Sequence, residues 1–370
     1  MNLRMLLLGV VFCLVAPAAL AQGVTDKQLD DLSTKCRSRQ PISYHPTQTH
    51  SEFARKIRDV AIKQHETFVG NRVDHTGRME FFGHAETESD QEIDRTIELE
   101  QLPWRQVLSH WESVSGTNTL AAAHERLSVW YYRGALDPTP PARLPRSEIK
   151  LSVLLDAIQN GVDFSRVPNA DRVKAAIAQS LVRASLSDVP WSAVFISHVM
   201  KMAEVSGFTA TAGHVTYIRE AVQQSLKDVG VGSGRNYYRA CDPTITKPRV
   251  GDLYCYHRHV AKTEDPYVQP EKSLFRSVFR ELTNRTPVIK RTHCDIVVDI
   301  NNAAKKVVVI GGNVQNSVTR KTLNLTEQYF LSSSQGTPEC EAYNPDKRGS
   351  YAPNCNLNKQ EWFVLLQARS

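Results

Sequence analysis

The chain has 370 residues, 45 of them Lys or Arg against 39 Asp or Glu, for a formal charge of +6 and a pI near 8.9. That length holds one large domain or two ordinary ones. The mild basic excess is spread along the chain and no RNP, zinc-finger or helix-turn-helix signature occurs. Nucleic-acid binding is therefore excluded as a leading class, while an anionic envelope polymer or membrane surface suits the balance.

In chain order, Met1 to Arg4 carries one positive charge, Met5 to Leu14 is an apolar run too short to span a bilayer, and Ala19-Leu20-Ala21 supplies small residues. This predicts a secretory signal peptide over 1–21, cut after Ala21, and a periplasmic or secreted chain with no membrane span once it is removed. Residues 22–50 read as peripheral, with a short polar helix near Thr25 to Lys35. Ser51 to Phe68 has helical periodicity at Phe53, Ile57, Val60, Ala61 and Phe68, with Ser51 as N-cap. Asp74-His75-Thr76-Gly77 predicts a turn between short strands around Val73 and Met79 to Phe82. Helices are expected over Trp104 to Ser113 and Thr119 to Tyr132. Three prolines in Asp137-Pro138-Thr139-Pro140-Pro141 then break the chain. We place a boundary there, with a helical part over 51–145 and an α+β core over 146–370.

Beyond the break, Ser147 to Gln159 and Asp171 to Ser185 have helical periodicity. Trp191 to Val205 has almost no polar face, which predicts a helix buried in a core, started by Pro190. Asp252 to Tyr256, Cys294 to Ile300 and Lys306 to Ile310 read as strands, the last two joined through Asn301-Asn302, and Gln360 to Gln367 closes the sheet. One buried helix before an antiparallel sheet, with extra helices ahead of it, is an α+β fold.

Loss of Cys13 with the signal would leave Cys36, Cys241, Cys255, Cys294, Cys340 and Cys355, an even set in an exported chain. Cys340 with Cys355 is the first pairing expected, because both lie in a loop with little else to hold it. Cys241 with Cys255 is the second. No His/Cys set has zinc spacing, and His257 with His259 lacks a third ligand, so no metal is expected.

Ser192 falls in the first turn of the buried helix, close to free backbone N–H groups, where a serine ordinarily acts as a cap. Strand alternation puts His293 and Asp295 on one face and Cys294 on the other. Asn313 follows two glycines at a strand end, an ordinary turn position. His214 and Tyr217 share a helical face that could reach a cleft or form a packing pair.

Taken together, Pro190-Trp191-Ser192-Ala193-Val194-Phe195-Ile196-Ser197, Gly213-His214-Val215-Thr216-Tyr217-Ile218, Gly251-Asp252-Leu253, His293-Cys294-Asp295-Ile296-Val297-Val298 and Gly311-Gly312-Asn313-Val314 form an ordered series. With Pro103-Trp104-Arg105-Gln106-Val107 and Trp111 upstream, it resembles the bacterial domain-of-unknown-function family 2272 over about Ser51 to Arg320. That family is similar in turn to the papain-fold cell-wall hydrolases of the NlpC and CHAP type. In those enzymes a cysteine opens the buried helix, a histidine begins a strand and a polar residue on the next strand orients the histidine.

The resemblance implies a papain-like core with Ser192 as nucleophile, His293 as base and Asn313 as orienter, Asp295 being the fallback. Trp191, His214, Tyr217 and Asp295 would line the binding face, and no cofactor is required. Serine is the departure: a cysteine at a helix N-terminus beside a histidine becomes a thiolate readily, whereas a serine hydroxyl keeps its proton until a base removes it during attack. The implied function is hydrolysis of peptide or amide bonds in peptidoglycan. The alternative is an inactive module of the same shape that binds peptidoglycan or an envelope protein. A toxin-like effector is a third reading, without a delivery segment to support it.

Overall fold

A computed structural model describes residues 24–36, 52–88, 101–116, 119–126, 128–132, 146–161, 163–257, 274–283, 291–336 and 356–369. Its centre is an eight-stranded sheet of β1 (Arg72–Val73), β2 (Met79–Phe81), β5 (Tyr238–Cys241), β6 (Leu253–His257), β7 (Thr292–Asn301), β8 (Lys306–Val314), β9 (Ser317–Asn324) and β10 (Glu361–Ala368). The order across it is β2-β1-β9-β8-β7-β6-β10-β5. Every pairing is antiparallel except β1 with β9, which is parallel. The fold class is α+β, as the alternation of apolar and β-branched residues after Val250 predicts.

The helices cover this sheet. They are α1 (Asp26–Cys36), α2 (Glu52–Thr67), α3 (Pro103–Trp111), α4 (Leu120–Arg126), α5 (Leu151–Asp156), α6 (Ala170–Asp188), α7 (Ser192–Met202), α8 (His214–Asp228) and α9 (Leu274–Thr283). Of these, α7 is the inner one: every residue from Ser192 to Met200 is buried, and it packs on β7 and β8 with α2 and α3 against it. The close approach to β8 needs Gly312, where a Cβ would fall 2.4 Å from the Phe195 Cβ and 2.9 Å from the Trp191 ring. A core of this density has no room for even one methyl group there.

Two local signals set the register of the central strands. Between β7 and β8 the Asn301 side chain accepts the Ala304 N–H at 2.9 Å and Lys305 takes a positive φ of 52°. Between β8 and β9, Val314 pairs with Ser317 across Gln315 (φ 52°) and Asn316 (φ 59°). Two successive positive φ values match a two-residue hairpin turn whose twist suits the strands.

Several expectations need correction. The helix expected through Tyr132 stops at Arg126, and Ser128–Tyr132 forms β3, paired antiparallel with β4 (Arg146–Lys150). The run Val129-Trp130-Tyr131-Tyr132 is β-branched and aromatic, and cross-strand pairing overrides the helical period read into it. The stretch expected as one helix over Ser147 to Gln159 is divided between β4, α5 and a π-helical turn, Ala157–Gly161. The Pro138 to Pro141 break and the Ser51 cap lie outside the described residues.

The pairing of Cys241 with Cys255 is overturned. The disulfides join Cys36 to Cys241 and Cys255 to Cys294. Strand β10 lies between β5 and β6 and keeps Cys241 from Cys255, whereas Cys294 stands directly opposite Cys255 in the β6–β7 ladder. Cys36–Cys241 links positions 205 residues apart, and closing a loop of that size in the unfolded chain is worth about 5 kcal/mol on entropy alone. Cys340 and Cys355 lie outside the described residues. Among the described residues no helix is long and apolar enough to cross a membrane.

Candidate functional site

The start of α7 and the first half of β7 bring six polar side chains together in the interior. Trp191 is the N-cap of α7, and no side chain caps the helix. Ser192 is therefore inside the first turn with its hydroxyl turned elsewhere, which removes the ordinary capping explanation for a serine here. Its Oγ lies 2.7 Å from His214 Nε2. His214 opens α8 one turn before Tyr217, and the short contact of its Nδ1 with the Tyr217 hydroxyl continues the chain.

The direction of this chain depends on one proton. With the ring proton on Nδ1, His214 donates to the Tyr217 oxygen and Nε2 accepts the Ser192 O–H. With the Tyr217 O–H donating to Nδ1, Nε2–H donates to Ser192 instead. Only the first tautomer makes His214 a base toward Ser192.

A second chain runs along the sheet. His293 Nε2 is 3.0 Å from Asp295 Oδ1, and Lys321 Nζ on β9 is 2.6 Å from Asp295 Oδ2, all three being completely buried. Burial pushes the Asp295 carboxyl up, but the charges and hydrogen bonds of Lys321 and His293 outweigh it and hold the group at about 2. An ionised carboxylate only accepts, so Nε2–H of His293 donates to it. The Lys321 ammonium also lies over the rings of Tyr256 (5.2 Å) and Trp362 (5.4 Å), a cation–π arrangement that helps a charge survive without water.

The two chains meet through their imidazoles. The rings of His214 and His293 are 5.1 Å apart between centroids, and Tyr256 flanks His293 at 5.0 Å. Gly311 makes the second chain possible, because a Cβ there would sit 1.9 Å from Asp295 Oδ1 and 2.9 Å from His293 Nε2. The Gly311-Gly312 pair thus clears space on β8 for Asp295 and for α7, a different task from shaping a turn.

The structure brings Ser192, His214, Tyr217, His293 and Asp295 together as the sequence reading grouped them, but with the contacts distributed differently. The histidine hydrogen-bonded to Ser192 is His214. The carboxylate that holds His293 is Asp295, the fallback orienter. Asn313 sits half-buried at the β8 irregularity with a positive φ of 53°. Trp191 is wholly buried, its ring 5.8 Å from Phe68 and 5.6 Å from His110, and it packs the helix start rather than facing a cleft. Cys294 points away from His293 into its disulfide.

Lys321 and Tyr256 fall outside the residues that the sequence reading assigns to the site. The one signal for Lys321 is alternation on β9, where Thr319, Lys321 and Leu323 share a face and all are buried. Among the described residues no group of three or more His, Cys, Asp or Glu could hold a metal ion. His257 lies 3.7 Å from Glu361, and His259 is outside the described residues.

These features define an α+β protein whose inner helix starts at a serine hydrogen-bonded to histidine, beside a buried His–Asp–Lys chain. The chain belongs to the family described as "Uncharacterized protein conserved in bacteria (DUF2272)", which matches residues 165–368, more than half its length and all six site residues. No curated protein and no solved structure matches it.

Proposed function

We propose that the protein is an exported hydrolase of peptide or amide bonds in the bacterial cell wall, with a papain-like core and serine as its nucleophile. The observation that carries this reading is the 2.7 Å contact between Ser192 Oγ and His214 Nε2 at the start of a buried helix. Export rests on the apolar leader ending in Ala19-Leu20-Ala21 and is supported by the two disulfides. Peptidoglycan as substrate rests on the distant resemblance of the family's motif series to cell-wall hydrolases of the NlpC and CHAP type.

In this reading His214 Nε2 takes the Ser192 proton as Oγ attacks the carbonyl carbon. The N–H groups of the first turn of α7 receive the oxyanion. Collapse breaks the C–N bond, the His214 imidazolium protonates the leaving amine, and water activated by the same ring releases the acyl group. Tyr217 fixes the His214 ring. His293, held by Asp295 and Lys321, is a positioning residue that fixes the neighbouring imidazole.

The test is digestion of purified sacculi with fragments read by mass spectrometry, together with covalent labelling by a fluorophosphonate. Ser192→Ala and His214→Gln are expected to lose release by about a thousandfold or more, and only protein with Ser192 intact should label. Release that persists in Ser192→Ala overturns the assignment.

A second reading, a non-catalytic module that binds peptidoglycan or an envelope protein, is favoured by the burial of Ser192 and His214, 3% and 5% exposed. It requires that wild type co-sediments with sacculi, releases nothing, and is unaffected by Ser192→Ala.

A further inference from the structure

Strand β9 carries two cations in succession that face opposite ways. Lys321 enters the site described above, and Arg320 points to the other face of the sheet. There α2, β1, β2 and the outer ends of β7 and β8 line an open cavity of about 470 Å³, whose polar lining includes Arg58, His65, Arg72 and Arg320. Volumes of this size are typical of small-molecule sites.

The unusual element is the pair Arg72 and Arg320. They are partner positions in the parallel β1–β9 ladder, side by side, and both are exposed. Like charges in that relation destabilise a sheet. Among the described residues neither guanidinium has a carboxylate partner; Arg72 lies instead over the Phe81 ring at 4.7 Å. Arg58, the third guanidinium, is held by the Val298 carbonyl at 3.1 Å and by Asp59 at 2.6 Å. The effect reaches His65, which burial, and then the charges of Arg320 and Arg72, keep below its ordinary pKa, although its Nε2 faces the Asn71 carbonyl at 3.1 Å.

The rest of the lining sets the ligand's character. Ile62, Val69, Phe81, Val308 and Ile310 give an apolar wall, and Val69 is 39% exposed. Glu66 and Asp299 also face the cavity, which disfavours a ligand with several negative charges. We infer that the Arg72–Arg320 pair and this cavity form a binding site for an amphiphilic monoanion, one carboxylate or phosphodiester head on an apolar body, separate from the Ser192 site. Two adjacent planar guanidiniums match the two oxygens of such a head in a way that lysines would not.

The test uses the full chain and four probes: hexanoate, dibutyl phosphate, 1-hexanol and inorganic phosphate. NMR follows the His65 ring and the arginine Nε–H signals while thermal denaturation is recorded in parallel. Hexanoate or dibutyl phosphate should bind with a Kd of about 1 mM or tighter. Binding should raise the His65 pKa toward its ordinary value, because the two arginine charges acting on it are offset, and should raise the Tm. Hexanol should do neither, and inorganic phosphate should bind more weakly than the amphiphiles. Whichever of the two anions binds tighter identifies the head group.

Arg72→Gln and Arg320→Gln should each weaken binding about tenfold or more, and Arg320→Lys, which keeps the charge and loses the fork, should weaken it too. The inference is overturned if neither amphiphile moves the His65 or arginine signals, if hexanol moves them equally, or if the glutamine variants bind unchanged. None of these readouts involves Ser192, so failure of the proposed hydrolase leaves this result standing, and the converse also holds.

Discussion

Among the described residues two aspartates are completely buried, Asp295 on β7 and Asp252 at the entry to the adjacent β6, and they answer burial in opposite ways. Asp295, with an ammonium at 2.6 Å and an imidazole at 3.0 Å, is held at about 2. Asp252, at the entry to β6, accepts the backbone N–H groups of Arg249 and Ala368, each at 2.8 Å, but its nearest cation is Arg249 Nε at 3.8 Å. Burial dominates there and pushes Asp252 up to about 6. Two backbone donors and a distant guanidinium are therefore weaker than an ammonium and an imidazole in direct contact, in line with the steep gain of Coulomb attraction at low dielectric. Asp252 orders backbone: it ties the β6 entry to the end of β10, next to Gly251, whose φ of 88° favours glycine and where a Cβ would fall 3.1 Å from the Ala54 Cα. Asp295 instead supplies a fixed negative charge to a histidine.

The sharpest break of this contrast is Lys321→Met, which leaves the Asp295 charge buried without its partner. It should cost about 3–5 kcal/mol in urea unfolding at pH 7, and Lys321→Met combined with Asp295→Leu should recover most of that loss. A cost under about 1 kcal/mol for the single variant would show that the ion pair is not what holds Asp295 ionised.

Acid titration separates the two groups by sign. Asp252 has a folded pKa above its unfolded value near 4, so the native state binds more protons between pH 6 and 4, and its contribution makes the protein more stable as pH falls through that window. Asp295 has a depressed folded pKa, so its stabilisation is full above about pH 4 and is lost between about pH 4 and 2. Each effect is on the order of 2–3 kcal/mol, and Asp252→Asn should remove the first while leaving the second. Gly311→Ala, which drives a methyl into Asp295, should cost about 1–3 kcal/mol and, by displacing the carboxylate from Lys321, move the acid limb upward in pH. The smallest effect is expected for Ser192→Ala, about 1 kcal/mol in thermal unfolding for one buried hydrogen bond.

How much of this was legible follows from which signals are local. The inner helix could be read because Val194, Phe195, Ile196, Val199 and Met200 leave it no polar face. The β7–β8 hairpin could be read from Asn301-Asn302, and the shared face of His293 and Asp295 from alternation. The amphipathic spacing of Phe275, Val278, Phe279 and Leu282 is a local signal of the same kind and corresponds to α9. Which histidine meets Ser192 was not legible: His214 is 22 residues away on another helix, and no periodicity ranks it above His293. Lys321 was hidden for a similar reason, since a lysine in a strand is ordinarily a solvated edge charge, and only the sheet order brings it to Asp295.

The parallel pairing of β1 with β9 bears on where the protein can be cut. Residues matched by the family begin at 165, yet β1 occupies the free side of β9, α2 covers β7 to β9 with Ile57 and Ala61 wholly buried, and α1 is tied to β5 through Cys36. A fragment started at the family boundary would carry an open strand edge beside a bared apolar face, the combination that recruits other chains. Expression trials limited to 165–368 should therefore yield aggregates, and the shortest soluble piece should begin ahead of Asp26.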